Sequence, residues 1–130
     1  MRIAVLGDSL TAGYGLSARD AFPAQLELVL QKRGYQVVVQ NAGVSGDTSA
    51  GGLARLDWTL ADHPDLVIVE LGANDALRGL DPALTRDNID TILTRLKAAG
   101  VQPLLAGMRA PRNLGRDYYI KFDQLYPELA

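Results

Sequence analysis

The sequence predicts an α/β protein with a parallel sheet covered on both sides, and three observations carry that prediction. Four short apolar runs alternate with longer amphipathic stretches in the order βαβαβαβα. The runs are apolar at successive positions, as strands buried on both faces must be. Small, polar loops follow three of the four runs, which in such sheets marks the ligand-binding rim at the C-terminal strand ends.

The elements follow in order. Ile3, Ala4, Val5 and Leu6 form the first strand, and Gly7 ends it. Pro23 suits a helix first turn, and Leu26, Leu28, Val29 and Leu30 continue a helix to Lys32, stopped by Gly34. Val37, Val38 and Val39 are β-branched and predict the second strand. Residues 48–60 predict one helix with Leu53, Leu56 and Leu60 on one face. His63-Pro64 connects it to a third strand, residues 66–69. Asp81-Pro82 pairs an N-cap with a first-turn proline, opening a helix that carries Leu84, Ile89, Ile92, Leu93 and Leu96 and stops at Gly100. Residues 103–108 predict the fourth strand. A last helix starts near Arg116, with Tyr119, Phe122, Leu125, Tyr126 and Leu129 as its apolar face and a bend at Pro127.

Composition narrows the chemistry. The chain has 130 residues, 48% hydrophobic and 22% charged, as expected of one globular domain spanning residues 1–130. Net charge is −2, so there is no basic excess for binding nucleic acid. Without cysteine there are no disulfides, thiolate metal sites or cysteine nucleophiles. No His/Asp/Glu cluster has metal-ligand spacing. No apolar run is long enough for stable membrane insertion. The first four apolar residues are too few for a signal-peptide core of about 7–15, so the chain as written is expected to have no export signal.

The polar loops contain Gly7-Asp8-Ser9 after strand one, residues 41–47 after strand two, and Gly72-Ala73-Asn74-Asp75 after strand three. Such residues form turns, but three such loops on one rim can also bind. Ser9 can expose a hydroxyl and its backbone N–H. Gly46 lacks a side chain, so its N–H can approach a ligand closely. Asn74 offers an amide donor. Together they could surround one developing oxyanion. Asp8 can order the Ser9 loop, and Asp47 and Asp75 can hold turns. Arg109, Arg112, Arg116 and Lys121 form a basic stretch that reads as a solvated face or an anion-attracting rim. Tyr14, Leu77, Leu80 and Met108 are candidates for an acyl pocket.

These loops resemble conserved blocks of the GDSL, or SGNH, hydrolase superfamily. VLGDSLT at residues 5–11 is similar to block I, NAGVSGDT at 41–48 to block II, and VELGAND at 69–75 to block III. The likeness is closest to the bacterial arylesterase, lysophospholipase L1 and acyl-CoA thioesterase I group. It extends through LARL at 53–56 to Tyr126-Pro127. The resemblance implies a three-layer, flavodoxin-like fold with strand order 2-1-3-4 and a fifth strand beyond. It implies Ser9 as nucleophile and Ser9 N–H, Gly46 N–H and Asn74 as oxyanion donors. The substrate would be a small acyl ester or thioester, and no cofactor is implied. A carbohydrate O-acetylesterase is the alternative within the superfamily, and a non-catalytic anion-binding module the alternative outside it. Many such relatives are exported to the periplasm or beyond; the sequence leaves compartment and oligomeric state open.

The family's fourth block, an Asp-x-x-His motif, is not in this chain. His63 is the only histidine, and it precedes strand three, so it is expected at the wrong end of the sheet, roughly 20 Å away at about 3.3 Å per residue. An incomplete chain, lacking roughly 30–50 residues with the fifth strand and the Asp-His loop, is therefore expected. Without them strand four is an exposed apolar edge, and the chain alone is expected to be inactive.

Overall fold

The apolar runs become strands because neighbouring runs can bury both their faces at once. In the computed structural model, which describes residues 1–130, they are β1 (Arg2–Gly7), β2 (Val38–Gly43), β3 (Leu66–Glu70) and β4 (Gln102–Leu105). All pairings are parallel and the order is β2-β1-β3-β4, as the resemblance implies. The helices are α1 (Ser9–Ala12), α2 (Phe22–Lys32), α3 (Ser49–Ala54), α4 (Leu56–Leu60), α5 (Ala73–Leu77), α6 (Pro82–Ala98) and α7 (Arg116–Leu129).

Register sorts the strand residues into two faces. Ala4 lies beside Val67 and Leu6 beside Val69. All four are fully buried and share one core with Leu56, with Ile89, Ile92 and Leu96 of α6, and with Phe122, Leu125 and Tyr126 of α7. Each large side chain withdrawn from water in this way stabilises the fold by roughly 1.5–3 kcal/mol. The other face behaves differently. Val5 is fully buried, its neighbour Ile68 is half-buried, and Leu104 beside that is 54% exposed. Cover on this face therefore thins from β1 towards the β4 edge. At the opposite edge α2 packs against β2, and Glu27 accepts a hydrogen bond from Val39 N–H at 3.0 Å.

Four sequence expectations need correction. β2 runs on to Gly43, since Asn41, Ala42 and Gly43 pair with Val5, Leu6 and Gly7; turn-forming residue types are overridden by the adjacent strand. The helix expected over residues 48–60 is two, α3 and α4, broken at Arg55 (φ −106°, ψ 15°). The arginine side chain is drawn back into the loops, and Gly51 and Gly52 weaken the helix before it. β4 ends at Leu105, so Met108 belongs to the following loop. Leu84, counted with the apolar face of α6, is 56% exposed. Asp81 caps α6 as expected, accepting from Ala83 N–H at 3.0 Å, and α7 contains Pro127 within its last turn.

Candidate active site

Parallel strands in order β2-β1-β3 bring the loops after those strands to one rim. Gly7 at the end of β1 is level with Gly43 of β2 and Glu70 of β3. Ser9 begins α1 two residues beyond Gly7 and is half-buried. Asp8 caps that turn, its Oδ1 accepting from Leu10 N–H at 3.0 Å, as expected of a residue ordering this loop. The helix folds back tightly over the strand end, and a side chain at Gly7 would overlap the Thr11 hydroxyl.

Gly46 lies in the loop after β2 with φ +81°, the left-handed region that glycine enters without steric cost. Arg78 donates to its carbonyl at 3.2 Å. Asn74, in the first turn of α5, donates its Nδ2 amide to the Asp47 carbonyl at 2.8 Å. The loops carrying Gly46 and Asn74 are therefore joined directly.

Arg55 joins the Ser9 side to the others. Its Nε donates to Asp47 Oδ2 at 2.6 Å, one terminal nitrogen to the Ala42 carbonyl at 2.6 Å and the other to the Gly7 carbonyl at 2.9 Å. A planar guanidinium can serve three acceptors in different directions at once, which an ammonium cannot do in fixed geometry. Arg55 was not singled out in the sequence, because its acceptors lie up to 48 positions away. Its place in the LARL segment was the only signal.

The acids play different roles. Asp75 is buried and accepts three hydrogen bonds, from Ser49 N–H at 2.8 Å, Ser49 Oγ at 2.6 Å and Thr85 Oγ1 at 2.9 Å. It binds α3, α5 and α6 together, a wider role than holding a turn. Glu70 accepts from Thr11 Oγ1 at 2.8 Å. Burial pushes its carboxyl up to about 7, and the neighbouring Asp8 adds to the effect. Tyr126 donates to the Leu71 carbonyl at 2.7 Å, and burial raises its phenol further above its ordinary range.

The backbone N–H groups of Ser9 and Gly46 donate to no other backbone group, so both are free for an incoming acceptor. Tyr14 and Leu77 are apolar side chains that are 82% and 70% exposed. Arg112 pairs with Asp123 at 2.8 Å and stacks on Tyr119, which removes it from a free basic rim. His63 sits in the loop before β3, at φ 53° and exposed. Because β3 runs parallel to β1, His63 is at the rim opposite Ser9.

The model of the GDSL-like lipase/acylhydrolase family matches residues 5–130. The chain belongs to that family. Among the curated relatives of this chain is an arylesterase of Vibrio mimicus, 42% identical over 130 residues, covering 99% of the chain and 65% of the relative. Another is the thioesterase 1/protease 1/lysophospholipase L1 of Escherichia coli, 49% identical over 127 residues, covering 97% and 60%. The chain thus spans less than two thirds of the length of these relatives. Among solved structures, the SGNH-hydrolase family esterase AlinE4 superimposes with a TM-score of 0.95 at 51% identity, over 99% of this chain and 70% of that one.

Proposed function

We propose that residues 1–130 carry the nucleophile and the oxyanion donors of a serine hydrolase cleaving carboxylic esters or thioesters. The observation that supports this most is the tied rim: free N–H groups on Ser9 and Gly46, with the Asn74 amide bonded to the Gly46 loop through the Asp47 carbonyl. Donors held in place before reaction need no reorganisation when charge develops, and each is worth roughly 2.7–4 kcal/mol in the transition state.

Ser9 Oγ would attack the carbonyl carbon while its proton passes to a base. The carbonyl electron pair moves onto oxygen, where the three donors meet it. Collapse of that intermediate expels the alcohol or thiol, which takes the proton back. Water then repeats the sequence on the acyl-Ser9 ester and releases the acid. A serine hydroxyl is too weak a nucleophile at neutral pH to do this unaided. His63 stands at the other rim, so the imidazole base and its orienting carboxylate are assigned to residues outside 1–130. Aryl esters, lysophospholipids and acyl-CoA are the substrate classes that the relatives' names suggest, and exposed Tyr14 and Leu77 offer apolar surface for an acyl chain.

The test is p-nitrophenyl butyrate hydrolysis by three proteins: residues 1–130, the same chain extended through an Asp-x-x-His segment, and the extended chain with Ser9→Ala. Turnover is expected in the second alone. Loss of the histidine costs on the order of 10⁶ in kcat in the subtilisin example. Equal rates in the first two would mean that Ser9 uses another base. No turnover in any, with binding of a carboxylate, would favour an anion-binding module.

A further inference from the structure

We propose that Glu70 is a positioning residue for Ser9: one proton held between Glu70 Oε2 and Asp8 Oδ2 clamps the first turn of α1 to the end of β3. The inference rests on the reading of Ser9 as nucleophile only for its functional meaning.

The geometry is that of two carboxyl groups each half-satisfied. Asp8 Oδ1 accepts from Leu10 N–H and Glu70 Oε1 accepts from Thr11 Oγ1. Asp8 Oδ2 and Glu70 Oε2 are both buried, and neither meets a donor. Strand register puts Gly7 beside Glu70, so Asp8 follows one residue on, at the same rim. Two buried oxygens that can only accept are costly without a donor, and a single shared proton would satisfy both. The charge of Asp8 further disfavours ionisation of Glu70.

The surroundings supply no other remedy. Arg55, on the α3–α4 side, is committed to Asp47, Ala42 and Gly7. From α7, Tyr126 donates to the Leu71 carbonyl and Tyr118 to the Leu80 carbonyl. Asp75 of α5 is a further negative group, already held by Ser49 and Thr85. On α1 itself Thr11 donates to Glu70. No cation faces the pair, and burial keeps the proton on Glu70 up to about pH 7. Ser9 lies between Asp8 and Leu10, so both sides of it are held: by the Asp8–Leu10 cap and by the Thr11–Glu70 bond. Removing the proton leaves like charges face to face under α1 and loosens both.

Carbon-detected NMR of labelled residues 1–130 from about pH 4 to about pH 9 brackets the ordinary carboxylate range and the raised one. The Glu70 Cδ resonance is expected to titrate near 7, with the Ser9 amide moving at the same midpoint. Glu70→Gln keeps a donor towards Asp8 and should hold the Ser9 amide at its low-pH position throughout; Glu70→Ala should not. Glu70 titrating in the ordinary range overturns the proposal, as does a Ser9 amide equally indifferent to pH in wild type and Glu70→Ala. In the extended chain, Glu70→Ala should lower kcat about tenfold with KM unchanged, as expected where a transition-state contact is misplaced, and Glu70→Gln should restore it. Failure of Ser9→Ala to abolish hydrolysis would sink the nucleophile assignment and leave the titration result standing.

Discussion

Asn74 reaches from the first turn of α5 to the Asp47 carbonyl, 2.8 Å away, and so fixes the loop that carries Gly46. A primary amide has two N–H groups. One is engaged by Asp47, which leaves the other with a direction already set. Two of the three proposed oxyanion donors are thereby mechanically linked.

Asn74→Ala should therefore remove a donor and release Gly46 together. In the extended chain, kcat should fall by about 10²–10³, the usual cost of one such donor, with KM little changed. Steady-state kinetics on p-nitrophenyl butyrate reads this directly. A loss in KM alone would place Asn74 in substrate binding instead.

Arg55→Ala removes the donor shared by the Ala42 carbonyl, Asp47 Oδ2 and the Gly7 carbonyl, the last of which still accepts from Val44 N–H at 3.0 Å. With the ion pair only partly exposed, a loss of about 2–4 kcal/mol is expected from unsatisfied, partly buried groups. Arg55→Lys should recover little, because an ammonium cannot reproduce the fork. Urea unfolding of residues 1–130 measures both. A cost below about 0.5 kcal/mol, the range of ordinary surface substitutions, would refute the role of Arg55 as a loop tie.

Gly46→Ala separates strain from collision. The site is open, with nothing within 4 Å of an added Cβ, but φ is +81°. The expected destabilisation is about 1–2 kcal/mol, from the left-handed conformation alone. If the backbone keeps its shape, the N–H stays in place and hydrolysis by the extended chain should survive. Melting curves and initial rates on one preparation distinguish the two effects.

Stability should also respond to pH through Glu70. Its carboxyl is raised from 4.5 in the unfolded chain to about 7 in the fold, so between those values the native state holds a proton that the unfolded state has lost. The contribution is complete below about pH 4.5 and is lost as pH rises through 7. The advantage of wild type over Glu70→Gln in chemical denaturation should shrink across that window. An advantage that grows with pH would mean that Glu70 is ionised in the fold.

Much of the architecture was legible because its signals are local. Runs such as Leu66-Val67-Ile68-Val69 admit few alternatives, and the Asp81-Pro82 pair marks a helix start by chemistry confined to one turn. What escaped depends on partners distant in sequence. Asn41, Ala42 and Gly43 become strand only because β1 lies alongside. Arg55 breaks a helix for the sake of Gly7, Ala42 and Asp47. Of the site, Ser9, Gly46 and Asn74 stood out as loop residues of distinctive type. Glu70 did not, lying just past the expected third strand, because its meaning depends on Asp8, 62 positions earlier in the chain.

The thinning cover along Val5, Ile68 and Leu104 grades the sheet in time as well as in space. Backbone amides are released to solvent deuterium by local opening, and openings are cheapest where the fewest apolar contacts must be broken. Protection should accordingly step down from β1 through β3 to β4. The central strand that feeds Ser9 then keeps its deuterium-free amides longest, while the Leu104 edge breathes first, so that fluctuations at the open side of the sheet decay before they reach Ser9.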